Sequence, residues 1–149
     1  MTMALRMPFR SIQRVYFDDL DALNILHNVR FLLFTERARG ELFNELGFRW
    51  EDALEVNPDK YHVVAEHKIH YLSPVRGEGE LSVELQPTHL GTSSCILAAK
   101  LRSLHGDVLH AESMTRLVRL DPSTDRPCPW SDRFRAAVEP LIPQAPGAV

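Results

Sequence analysis

The run from His27 to Leu46 constrains everything around it. At about 100° per residue, Phe31, Phe34, Thr35, Ala38, Leu42 and Leu46 fall in one arc of a helical wheel. Leu32 and Phe43 widen that arc, while Arg30, Arg37, Glu41 and Asn44 take the other side. Apolar cover this broad calls for a helix wrapped by a concave surface rather than laid on a flat one. The helix is expected over about residues 28–46, with Asn28 as N-cap and Gly47 as its stop. Gly40 in its middle costs roughly 1 kcal/mol against alanine and leaves room for another backbone to approach.

What wraps the helix is written on both sides of it. Phe9 to Tyr16 reads as a strand, ended by Asp18, Asp19 and Asp21. After a connection holding Trp50, a short helical turn near Glu51 to Val56 and the Asn57-Pro58-Asp59 turn signal, the period changes to two. Val63, Ala65, Ile69 and Tyr71 share one face of a strand that Ser73-Pro74 closes. Leu81, Val83 and Leu85 alternate with Glu80, Ser82, Glu84 and Gln86 in the next. Ser94 to Leu104 and Val108 to Leu120 are two more, with turns at Leu90-Gly91-Thr92 and His105-Gly106-Asp107. Ser131 caps a short C-terminal helix over about residues 131–140. The ends, residues 1–8 and the tail after Pro140, are expected to be loose. One helix followed by an antiparallel meander is α+β, with about five strands curled around the helix. A chain of 149 residues is one domain by the usual prior, 1–149, with its core at about 9–122.

Composition excludes several classes. The net charge of −3 leaves no basic footprint for nucleic acid. No apolar run reaches the length of a membrane span, and the N-terminus has no secretory pattern. Cys95 and Cys128 fit no metal spacing, and two reduced thiols suit a cytoplasmic protein. His62, His67, His70, His89, His105 and His110 show no ligand spacing either, so no metal site is expected.

The chemistry concentrates between the first strand and the helix, in Asp18-Asp19-Leu20-Asp21 and His27-Asn28. A strand-to-helix junction can aim a carboxylate at a helix N-terminus, whose free N–H groups hold an oxyanion. Taken alone, each aspartate is equally a turn former.

Asp19-Leu20-Asp21, then His27-Asn28, Phe31 and Glu36-Arg37-Ala38-Arg39, in this order and spacing, resemble the hotdog-fold acyl-CoA thioesterases of the 4-hydroxybenzoyl-CoA thioesterase family. The likeness continues through His70-Tyr71-Leu72-Ser73-Pro74-Val75, Gly91-Thr92-Ser93-Ser94 and Asp121-Pro122-Ser123-Thr124, over about residues 10–130. It implies a hotdog fold, an edge-to-edge homodimer that is often doubled to a homotetramer, and an active site at the subunit interface. The implied substrate is an acyl-CoA or acyl carrier protein thioester, with coenzyme A part of the substrate and no separate cofactor. Asp21 matches the catalytic carboxylate, as general base or nucleophile, and the helix start at Asn28 matches the oxyanion hole. His27 either polarises the carbonyl, positions Asp21, or merely caps the helix. Asp19 reads as structural and Asp18 as solvent-facing, with Arg39 paired to Glu36 one turn away.

Asn24 stands where many members carry glycine, and asparagine tolerates a positive φ. Phe31 replaces the common tyrosine and makes the pocket greasier, which favours an aliphatic or aromatic acyl group. Arg76, Lys100 and Arg102 are candidates for the phosphates of coenzyme A, and Thr92 and Ser93 for its pantetheine or phosphates. Two rival functions stay open: a non-catalytic acyl-CoA binding module, and a hotdog enoyl-thioester hydratase or dehydratase built on Asp21 and His27.

Overall fold

A computed structural model describes residues 5–144. Its strands are β1 (Phe9–Val15), β2 (His62–Tyr71), β3 (Gly79–Leu90), β4 (Ser94–Ser103) and β5 (Leu109–Arg119). The helices are α1 (Arg30–Glu45) and α2 (Asp132–Val138). The strands form one sheet in the order β1-β3-β4-β5-β2, and every neighbouring pair is antiparallel. β1 and β2 therefore lie at opposite edges, and α1 carries the chain from one to the other across the concave face.

The helix buries Phe31, Phe34, Thr35, Ala38, Leu42 and Phe43, nearly the arc read from the wheel. Facing them from the sheet are Leu81, Val83, Leu85, Cys95, Leu97, Leu101, Ala111 and Leu117, and the two sets form one apolar cluster. Burial pushes the Cys95 thiol up to about 12, so it stays an inert core residue. The helix ends as expected. Gly47 has φ +89°, its N–H donates to the Asn44 carbonyl, and the Phe48 N–H reaches back to Phe43 at 2.8 Å. Arg39, mostly covered inside the apolar arc, meets Glu36 at 3.1 Å.

Four expectations need correction. The N-cap is Val29, in helical geometry and with no side-chain cap, because the Asn28 side chain turns instead to the His27 ring at 3.2 Å. In β2 a bulge between Val64 and Glu66 breaks the alternation, so Val64, not Val63, pairs with the core residue Leu117. Ile69 and Tyr71 keep the predicted face. Leu5 and Met7, ahead of β1, bury part of their apolar surface against the core, and the Leu141 carbonyl accepts from Gln86 Nε2 at 2.7 Å. Residues 1–4 and 145–149 lie outside the described residues. Nothing comes within 4 Å of a Cβ built on Gly40, so no close backbone approach explains it. Gly40→Ala is therefore expected to stabilise the chain by about 1 kcal/mol, raising Tm by about 2–4 °C in a thermal melt.

The same apolar core continues through Trp130, Phe134 and Val138 at the far end of the fold. Trp130 stacks on Phe134 at 4.2 Å, and His62 sits against Phe43, Trp50 and Trp130. The His62 Nδ1 faces the Asp59 carbonyl at 2.7 Å. Burial holds its pKa below the ordinary 6.5, outweighing that hydrogen bond. The unfolded chain thus binds the proton first as pH falls. Stability is full above about pH 6.5 and declines below it, towards the folded-state value. Tm should be flat from about pH 8 to 7 and fall below about 6.5, and His62→Asn should reduce the fall. His67, also pushed down by burial, contributes in the same direction.

Candidate active site

The site grows from the turn that ends β1. Asp19 is 5% exposed and ties three segments together. Its Oδ2 accepts from the Tyr16 N–H at 2.8 Å, its Oδ1 lies 3.4 Å from Arg30 Nε at the helix start, and its carbonyl accepts from the His27 N–H at 2.9 Å. It is the structural residue it was expected to be, and Asp18 is exposed.

A tight loop follows. The Asp21 N–H donates to the Ile25 carbonyl at 2.8 Å, and Asn24 adopts φ +61°, the geometry that asparagine tolerates. The loop is stitched to the β2–β3 connection through Leu26 N–H to Val75 carbonyl (2.8 Å) and Gly77 N–H to Asn24 carbonyl (3.0 Å). Asp21 Oδ1 accepts from the N–H groups of Leu23 (2.8 Å) and Ile25 (3.1 Å). Oδ2 has no hydrogen-bond partner among the described residues. The carboxylate is thus pinned by one oxygen and presents the other.

Asp21 lines a cleft of about 370 Å³ together with Leu26, His27, Asn28, Phe31, Tyr71 and Leu72. On its other side it lines a hollow of about 400 Å³ with Phe17, Leu20, Ala22 and Asn24. The N–H groups of Asn28 and Val29, at the uncapped start of α1, donate to no acceptor among the described residues. A free carboxylate oxygen, unclaimed helix-start donors and an apolar wall share one cleft. That arrangement can activate a water or attack a carbonyl while donors receive the negative oxygen. Among the described residues no group of three or more His, Cys, Asp or Glu side chains is arranged to hold a metal.

The structure brings together Asp21, His27, Asn28 and Phe31. His27 makes no hydrogen bond to Asp21, whose Oδ1 is held by main-chain donors. Exposed Arg76 borders the loop, its backbone bridged to Ile25. Lys100 and Arg102 lie on the outer face of the sheet, where Arg102 is taken by Glu84 at 3.0 Å; strand alternation puts them opposite the core residues Ala99 and Leu101. Thr92 and Ser93 turn between β3 and β4, beside Arg119 and Trp130. That is seven residues along β5 from the Ala111 partner of Tyr71, or about 23 Å. Within one chain they do not reach the cleft.

Tyr71 is the site residue that the sequence reading missed as such. Its hydroxyl donates to the Asn28 carbonyl at 3.0 Å, and its ring meets Phe31 edge-on at 5.2 Å. The strand period put Tyr71 on the inward face, but only the fold shows the helix start waiting there.

A helix cradled by a five-stranded antiparallel sheet, with a carboxylate loop facing the helix start, defines a hotdog protein. The chain belongs to the thioesterase-like superfamily, whose family model matches residues 15–138. It is 26% identical over 119 residues to the acyl-CoA thioester hydrolase YbgC of Escherichia coli O6:H1, spanning 80% of this chain and 87% of that one. A thioesterase from Thermus thermophilus, solved with coenzyme A and zinc, superposes with a TM-score of 0.76 at 29% identity, covering 93% of this chain and 96% of that one. The SAV2348 protein of Staphylococcus aureus, solved with CoA, shares the fold at a TM-score of 0.82 and 15% identity, covering 97% and 92%. Among the described residues no helix is long and apolar enough to cross a membrane.

Proposed function

We propose that the chain is an acyl-CoA thioesterase, hydrolysing a thioester to a free acid and coenzyme A. The observation that carries this is the Asp21 carboxylate, pinned at Oδ1 and open at Oδ2, beside the uncapped start of α1. Oδ2 takes a proton from water as the water oxygen bonds to the thioester carbon. The carbonyl oxygen becomes negative and is received by the Asn28 N–H. The C–S bond then breaks, and the departing sulfur takes the proton from Asp21. In the nucleophilic variant Oδ2 attacks the carbon itself, the thiolate leaves, and water cleaves the resulting anhydride. Either route needs no cofactor. The walls contributed by Leu26, Phe31 and Leu72 suit an aliphatic or aromatic acyl group. The named activity of the YbgC relatives and the coenzyme A in the Thermus structure support this substrate class.

The active form is a homodimer paired through β2. This edge strand has no buried residue and exposes Val63, Val64 and Tyr71. An unpaired apolar edge of this kind invites a second strand. Antiparallel pairing about a two-fold axis sets the His62 end of one β2 beside the Tyr71 end of the other. The Thr92–Ser93 turn, which sits at the His62 end, then approaches the partner's cleft and meets the carrier arm there. A homotetramer would double this unit without altering the cleft.

The test is free-thiol release from a panel of acyl-CoAs and acyl carrier protein thioesters. Turnover of aliphatic or aryl thioesters is expected. Tight acyl-CoA binding with no thiol released would make the protein a binding module. Hydration of an enoyl thioester with the C–S bond intact would make it a hydratase.

A further inference from the structure

We propose that Tyr71 is a positioning residue for the oxyanion donor, an inference that rests on the thioesterase reading above. The residue whose N–H is to receive the negative oxygen, Asn28, is held at its other end by the Tyr71 hydroxyl, 3.0 Å from its carbonyl oxygen. Among the described residues no other side chain hydrogen-bonds to the Asn28 main chain. Its own side chain meets only the exposed His27 ring, and Val29 provides no side-chain cap. A helix start without a cap leaves its first peptides to solvent and to fraying.

Tyr71, though half exposed, is anchored through the backbone that follows it. The Leu72 and Ser73 N–H groups both donate to the His110 carbonyl, at 2.8 and 3.0 Å, which fixes the end of β2. The ring is braced edge-on by Phe31, which is 3% exposed. A hydroxyl carried by the sheet thus clamps the loosest end of the helix. A donor already in place needs no reorganisation when charge develops on the substrate oxygen. The interaction matters in the transition state and little in the ground state, so its signature is in kcat.

Tyr71→Phe removes the hydroxyl and keeps the ring. Thiol release should show kcat lower by about tenfold, the scale of one hydrogen bond, with KM for acyl-CoA within about twofold of wild type. An unchanged kcat overturns the proposal, and so does a raised KM at unchanged kcat, which would make Tyr71 a substrate-binding residue. Asp21→Asn is assayed alongside. Full activity there defeats the thioesterase site itself, whereas an inactive Asp21→Asn beside a fully active Tyr71→Phe defeats only the role of Tyr71. Should Tyr71→Phe fail to fold, 4-methoxyphenylalanine at position 71 removes the same donated proton while keeping the ring and its oxygen. The same fall in kcat at unchanged KM is expected, and a wild-type kcat counts against the clamp.

Discussion

Asp21→Asn should lower kcat for thiol release by about 10²–10⁴ while leaving the protein folded, the range typical of a positioned acid–base group. The substitution separates chemistry from architecture because the two oxygens of Asp21 have different jobs. Asn Oδ1 can still accept from the Leu23 and Ile25 N–H groups, so the loop keeps its shape. The amide nitrogen takes the place of Oδ2, where it can neither take a proton from water nor attack a carbonyl. A thermal melt close to wild type with thiol release nearly abolished is the expected pair of results. A folded variant with wild-type turnover would remove Asp21 from the mechanism and shift attention to His27, whose imidazole lines the same cleft.

The largest loss of stability should follow Asp59→Ala. Asp59 is 2% exposed and joins three parts of the chain. It accepts from the Ser131 N–H at 2.8 Å and from the Ser131 hydroxyl at 2.5 Å, and lies 3.8 Å from Arg119 Nε. Ser131 is the N-cap of α2, so the carboxylate also orients the group that starts that helix. Removing it leaves a mostly covered guanidinium and two Ser131 donors without their acceptor. Breaking one partner of a buried pair costs about 3 kcal/mol or more. For a chain of this length the midpoint should fall by about 6–12 °C. A shift under about 2 °C would show that Arg119 and Ser131 find solvent instead.

These two aspartates show what the sequence could and could not reveal. The helix arc from Phe31 to Leu46 and the alternation Leu81-Val83-Leu85 were legible because burial on one face repeats with the period of the element. Asp21 was legible as a strand-to-helix carboxylate, and the resemblance singled it out from its neighbours. Asp59 read only as part of the Asn57-Pro58-Asp59 turn signal. Its partners Arg119 and Ser131 lie about 60 and 72 residues on, and no local pattern encodes a contact over that separation. The bulge at Ala65 was illegible for a related reason, since one extra residue puts Val64 rather than Val63 on the face of Ile69 and Tyr71 and leaves no mark in composition. Lys100 and Arg102 were grouped with Arg76 because a list of basic residues does not say which side of a sheet each occupies. Tyr71 was on the expected face, but its partner is a backbone carbonyl, which carries no side-chain signal at all.

The crossing of α1 from one sheet edge to the other also sets when activity appears. β3, β4 and β5 follow one another by hairpins and make local contacts, which form early in folding. β1 and β2 add only to the outside of that meander, from regions far apart in sequence. Yet Asp21 hangs from the end of β1, Tyr71 ends β2, and the Leu26–Val75 hydrogen bond joins the loop after β1 to the β2–β3 connection. A chain with either outer strand undocked therefore keeps most of its core but has no assembled cleft. With Asp21 as the reacting carboxylate, thiol release is expected to be lost at lower denaturant than the far-UV signal of the meander.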